Sequence, residues 1–107
     1  MNIRQTSVHA FRDDAVLLDV REPVEWAAGH APNAVHLPLG QLPHRLTDLP
    51  AVGGALPVVC RSGVRSAQAV AYLQTRGVDA INVAGGMQAW EEAGKALVCD
   101  SGRGLVL

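Results

Sequence analysis

Short aliphatic runs alternate along this chain with segments of helical spacing. Residues 15–20 (Ala-Val-Leu-Leu-Asp-Val) are continuous, apolar and brief, which predicts a buried strand. Pro23 suits a helix start, and residues 24–28 give one or two turns ending at Gly29. Residues 34–37 predict a second strand, stopped by Pro38. Leucines at 39, 42, 46 and 49 have helical spacing, interrupted by Pro43. Residues 51–55, with Gly53-Gly54, form a loop, and residues 56–60 form a third strand. Residues 66–76 carry the clearest helical pattern, with Gly77 placed to end it. Residues 80–83 predict a fourth strand. Gly85-Gly86 then turns the chain into a helix over 87–93, closed by Gly94. The first 14 residues are expected to hold a strand or a short helix capped by Ser7, and residues 95–107 a small strand or a surface wrap.

Strands that alternate with helices at this pitch imply βαβ units and a parallel sheet, an α/β fold. Such sheets present their functional loops at the strand carboxyl ends. Three segments fall there: Asp19-Val20-Arg21-Glu22, the loop from Cys60 to Arg65, and Ala84-Gly85-Gly86. The pattern contains no repeat, low-complexity tract or linker, so residues 1–107 are expected to form one domain.

Composition narrows the function. With 107 residues, 49% of them hydrophobic, a real core is available. Nine basic and ten acidic residues leave a net charge of -1, which gives no electrostatic case for nucleic acid or an acidic membrane surface. No apolar stretch reaches the ~20 residues of a membrane span. The first residues lack an apolar signal region, so a cytoplasmic protein is expected. Two cysteines do not make a disulfide scaffold, and four histidines without HxxxH or HExxH spacing do not suggest a metal. No cofactor is expected.

Cys60 is the candidate for chemistry. It stands at the tip of a buried strand, in a short loop leading into a helix N-terminus, where backbone N–H groups converge and favour an anion. Arg61 and Arg65 add positive charge. Both effects are expected to favour the thiolate, which is the nucleophile. A buried strand-end cysteine can also serve as a small hydrophobe.

The chain resembles the rhodanese homology domain. The resemblance rests on Leu18-Asp19-Val20-Arg21-Glu22, Glu25-Trp26, Gly29-His30-Ala31-Pro32-Asn33-Ala34, His36-Leu37-Pro38, Cys60-Arg61-Ser62-Gly63-Val64-Arg65-Ser66, and Gly85-Gly86-Met87 with Trp90, in that order. It implies a five-stranded parallel sheet with helices on both faces, and a cysteine that carries sulfane sulfur as a persulfide. The length resembles the single-domain class. By this resemblance Cys60 takes sulfur from thiosulfate or a related persulfide donor. It then passes the sulfur to cyanide or a thiol acceptor such as glutathione, thioredoxin or a sulfur-carrier protein. A monomer or weak dimer is expected.

On that basis the amides from Arg61 to Arg65, through Ser62, Gly63 and Val64, cradle the persulfide. Ser62 donates its hydroxyl hydrogen to the outer sulfur, and the two arginines meet the anionic donor. Ser66, Asp19 and Arg21 are supporting residues. The Asp19–Arg21 pair is expected to be structural, with a loop-orienting network as the alternative. His30 and His36 are expected to pack. Trp26 and Trp90 are expected in the core or at its rim, with Trp90 at the pocket mouth as the alternative. Cys99 is expected to be a tail thiol, with a resolving role as the alternative. Two other functions stand beside sulfur transfer. One is a non-catalytic interaction module of the same family. The other is a phosphatase or arsenate reductase, whose loop places arginine six positions after its cysteine, where this chain has Ser66.

Overall fold

The computed structural model describes residues 3–107. Five strands form one parallel sheet: β1 (Gln5–Thr6), β2 (Leu18–Asp19), β3 (Val35–His36), β4 (Leu56–Val59) and β5 (Ala80–Val83). Their spatial order is β1-β5-β4-β2-β3, which puts β4 at the centre. Two α-helices connect sheet strands, α1 (Pro23–Ala28) between β2 and β3 and α2 (Val64–Thr75) between β4 and β5, and α3 (Gly86–Glu92) follows β5. A hairpin of β6 (Val98–Cys99) and β7 (Gly102–Arg103) follows.

The alternation of side chains along a strand divides the core between the two faces of the sheet. Leu56, Val58 and Cys60 pack with Leu18, Val20 and Ala80 against Ala69, Val70 and Leu73 of α2. Val59 points the other way, with Leu17, Val83, Met87 and Trp90 under α3. Along α2 the buried positions are Ser66, Ala69, Val70 and Leu73, a stripe of helical period whose first member is polar. That polar start is what brings α2 into the site. The helix ends in a Schellman motif, with Gly77 N–H donating to the Gln74 carbonyl (3.1 Å) and Val78 N–H to that of Leu73 (3.0 Å).

Three expectations need correction. Residues 39–49 are not one α-helix but two 3-10 turns, Leu39–His44 and Leu46–Asp48. Pro43 supplies no N–H, and Arg45 between the turns has φ -132°, outside helical space. The segment nevertheless buries Leu42, and its other leucines pack partly on the core. α2 begins two residues earlier than the pattern suggested, because Gly63 at φ 109° starts the helix directly from the loop. The β2 and β3 strands are two residues each, shorter than their apolar runs, although the flanking Leu17 and Val20 are buried and still hydrogen-bond across, Val35 N–H to the Leu17 carbonyl (2.8 Å) and Val20 N–H to that of Val59 (3.0 Å). The start of the chain holds both a strand and a 3-10 turn, whose cap is Ser7 Oγ accepting from His9 N–H (3.0 Å). The first two residues of that expectation lie outside the described residues.

Two glycines carry the turn from β5 into α3. Gly86 has φ 55°, and a Cβ there would collide with the carbonyls of Cys60 and Arg61. Gly94 also has a positive φ, 73°, but open space around it. Gly86→Ala is therefore expected to cost about 3 kcal/mol in urea denaturation, from strain and overpacking together. Gly94→Ala is expected to cost only about 1 kcal/mol, from strain alone. Equal costs at the two positions would remove the close approach as the reason for Gly86.

Candidate active site

Cys60 directly follows β4 and is 1% exposed. The loop after it curls over the sulfur. Gly63 N–H points at Cys60 Sγ from 3.0 Å, and Ser66 Oγ lies 3.2 Å away. The curl is held from behind: Met87 N–H of α3 donates to the Cys60 carbonyl (2.8 Å) and Gln88 N–H to that of Arg61 (3.0 Å). The Arg61 carbonyl turned to α3 puts Ser62 N–H on the opposite side of the same peptide plane, and the amides of Ser62, Gly63 and Ser66 serve the sulfur. Burial pushes the Cys60 thiol up, but the Ser66 hydroxyl and those three amides outweigh it, and the thiol is held below its ordinary value.

Both arginines are held by partners of their own. Arg65 feels the charge of Cys60, while the Ser66 hydroxyl and the loop amides are the groups that lower the thiol. Arg65 makes a bidentate pair with Glu25 of α1, Nη1 to Oε1 at 2.6 Å and Nη2 to Oε2 at 2.8 Å. Arg61 Nε donates to the carbonyl of Leu107 (2.6 Å), and its two Nη atoms stand 3.1–3.2 Å from the Gln88 side-chain oxygen. The loop's two charges are thus engaged by the helices and tail around it.

Asp19 and Arg21 are fully buried. Arg21 Nε and Nη2 grip the Asp19 carboxylate at 2.9 and 2.7 Å, and Nη2 also donates to the Gly29 carbonyl (2.8 Å). This is the structural pair, joining β2 to the end of α1. It also bears on the loop indirectly, because α1 carries Glu25. Trp26 stacks on His30 with centroids 3.6 Å apart and on His36 at 4.8 Å. His36 Nε2–H donates to the Arg21 carbonyl (2.7 Å) and His30 Nδ1–H to that of Ala31 (3.0 Å). Both histidines pack, as expected.

The rhodanese-like domain profile matches residues 5–93. The chain belongs to the rhodanese-like domain family. A sulfurtransferase of Allochromatium vinosum is 38% identical over 91 residues, covering 84% of each chain. The protein YtwF of Bacillus subtilis is 37% identical over 97 residues, 85% of this chain and 93% of that one. The crystal structure of a rhodanese-related protein from Thermoplasma volcanium superposes with a TM-score of 0.72 at 34% identity, covering 80% of this chain and 86% of the other.

Within this rhodanese-like domain, the side chains of several other expected residues make no hydrogen bond to the sulfur. Trp90 is fully buried and donates Nε1–H to the Ala96 carbonyl (2.8 Å), so it is core and not a pocket wall. Ser62 and Val64 are exposed on the loop. Cys99, in β6, meets Ser101 Oγ and the Arg103 carbonyl. Two surface cavities, of about 460 and 400 Å³, are bounded by Glu91, Lys95 and Leu105 and by Val16, Val52 and Pro57. Neither includes the loop. No helix among the described residues is long and apolar enough to cross a membrane.

Sequence reasoning gave no role to Glu25 or Asn82. Glu25 was visible only as a first-turn acid, in a capping box with Glu22. Asn82 carried a clearer signal: a polar side chain inside an otherwise apolar strand, where it is 2% exposed.

The Glu25 pair has a pH signature. Hydrogen bonds from Arg65 hold the Glu25 carboxyl down from 4.5 to about 2. A depressed carboxyl contributes stability above its unfolded pKa and loses it as pH falls through the folded value. In urea titrations, Glu25→Gln is expected to flatten the loss of stability between pH 4.5 and about 2. Identical pH slopes in variant and parent would show that the pair contributes nothing.

Proposed function

We propose that this rhodanese-like domain is a sulfurtransferase whose nucleophile is Cys60. It takes sulfane sulfur from thiosulfate or a related persulfide donor and delivers it to cyanide or a thiol. The observation that carries this is the sulfur itself, seated at the closed end of an amide-lined loop with its thiol held below the ordinary range. The Cys60 thiolate attacks the donor's outer sulfur. The donor S–S bond breaks, and its electron pair leaves with sulfite or with the donor thiolate. The persulfide Cys60–S–S⁻ remains, stabilised by the loop amides. An acceptor thiolate or cyanide then attacks the terminal sulfur, and the Cys60 thiolate departs unchanged.

Arg61 and Arg65 are proposed to receive the anionic donor. To do so Arg65 shares or exchanges its Glu25 partner. The partners that fit are a small anionic donor and a thiol acceptor, whether cyanide, glutathione, thioredoxin or a sulfur-carrier protein. Both cysteines are free thiols, which suits the reducing cytoplasm. A phosphatase-like activity has less support, since the sixth position after Cys60 is Ser66 and the arginine, Arg65, falls one residue early.

Incubation with thiosulfate is expected to add the mass of one sulfur atom at Cys60, removable by cyanide and absent in Cys60→Ser. Arg65→Ala is expected to lower kcat/KM for thiosulfate ~100-fold. No adduct from thiosulfate or glutathione persulfide, together with turnover of an aryl phosphate, would favour the phosphatase. Neither adduct nor turnover would leave an interaction module.

A further inference from the structure

Ser66 has one hydroxyl hydrogen and two neighbours that want it. Its Oγ lies 3.2 Å from Cys60 Sγ and 2.5 Å from Asn82 Oδ1. The orientation of the Asn82 amide is set by the backbone. Its Nδ2 donates to the Gly63 carbonyl (3.2 Å), which can only accept, and to Gln5 Oε1 (3.2 Å). Asn82 therefore presents a carbonyl oxygen to Ser66, and the serine must be the donor in that short contact. With its only hydrogen committed there, Ser66 can meet Cys60 only as an acceptor. In this arrangement the thiol S–H donates to Ser66 Oγ, and Sγ in turn accepts from Gly63 N–H.

Loss of the thiol proton to solvent reverses the demand. A thiolate can only accept, so Ser66 must swing its hydrogen from Asn82 to the sulfur, which leaves Asn82 Oδ1 facing the serine lone pairs. We propose that Asn82 is a positioning residue for the Cys60 chemistry, competing with the thiolate for the single hydrogen of Ser66. It acts through Ser66 and touches no substrate. The same amide ties the Gly63 carbonyl to β5 and reaches Gln5 on β1, so three elements fix which way the competition is set.

The charged groups around the sulfur are held by other partners, and Arg65, which feels the Cys60 charge, is common to every variant compared below. Arg65 is closed onto Glu25, Arg61 onto Leu107 and Gln88, and the Asp19–Arg21 pair on neighbouring β2 onto itself. The proposal rests on Cys60 being the nucleophile. It needs no donor or acceptor to be known, because deprotonation of Cys60 can be followed with an alkylating agent.

The test is the pH dependence of iodoacetamide alkylation at Cys60, read by peptide mass so that Cys99 does not contribute. Asn82→Val removes the competing acceptor and is expected to move the midpoint down by about half a pH unit. Ser66→Ala is expected to move it up by a similar amount, about half a unit. In the Ser66→Ala background, Asn82→Val is expected to have no effect. An upward or absent shift in the single variant overturns the proposal, and so does an equal downward shift in both backgrounds. If Asn82→Val folds poorly, the infrared S–H stretch of Cys60 in a Cys99→Ser protein decides. A hydrogen-bonded band that moves to the free-thiol position in Ser66→Ala supports the arrangement, and a band unmoved by that change overturns it. If sulfur transfer fails in the persulfide assay while these shifts appear, the sulfurtransferase reading falls and the hydrogen-bond arrangement stands.

Discussion

The carbonyls of Cys60 and Arg61 accept from the Met87 and Gln88 amides in the first turn of α3, and the site depends on those two bonds. A peptide plane has two ends, so turning its carbonyl to one side turns its N–H to the other. By engaging the Arg61 oxygen, α3 leaves Ser62 N–H to the sulfur's side, and it anchors the loop whose Gly63 and Ser66 amides complete the set. The N-terminus of a helix ordinarily attracts an external anion. Here two of its donors are spent on the backbone of a neighbouring loop, and it is that loop which is proposed to hold the anion. The approach is possible only because position 86 has no Cβ. It also requires β5 to turn into α3 at once, which Gly85 and Gly86 allow with φ values of 78° and 55°. The conformation of one strand-to-helix turn therefore reaches the electronics of a cysteine on another strand.

Around that centre, every charge is matched before a substrate arrives. Asp19 and Arg21 are buried together, and burial of either alone would be strongly destabilising. Their pairing costs desolvation but defines how α1 sits, through the Arg21 bond to the Gly29 carbonyl. α1 in turn presents Glu25 to Arg65 at the entrance of α2. The sulfur is left surrounded by neutral dipoles: three amides and one hydroxyl. Such groups stabilise an anion without forming an ion pair that a dianionic donor would have to displace.

Much of this was readable before any coordinates. The alternation of aliphatic runs with helical spacing identified the four strand segments β2 to β5. The strand-end position of Cys60 and the glycines at 85 and 86 placed the loop. What escaped did so for physical reasons. The leucines at 39, 42, 46 and 49 have α-helical spacing, but Pro43 removes a donor and the chain settles into 3-10 turns that bury Leu42 just as well. Arg61 and Arg65 were counted as charge available to the sulfur, since sequence shows a charge and not its partner. Glu25 lies 40 residues from Arg65, and only the packing of α1 beside α2 joins them. Asn82 could have been singled out as a polar residue in a buried strand, but its meaning depends on Ser66 standing opposite it.

The opposing pulls on Cys60 suit the cycle proposed for it. In the first half Cys60 is a nucleophile, and in the second it is the leaving group. Nucleophilicity at sulfur falls as the thiol becomes more acidic, while departure becomes easier. A cysteine stabilised too strongly as thiolate would leave well and attack poorly. Burial under the loop raises the thiol, the amides lower it, and the excess in favour of the amides is what remains. Asn82 adds a further restraint by holding the hydroxyl hydrogen that the thiolate would otherwise receive in full. Only a fraction of the loop's capacity to stabilise negative charge is then committed to the resting thiolate. The remainder is available to the persulfide, whose negative charge lies one S–S bond further out.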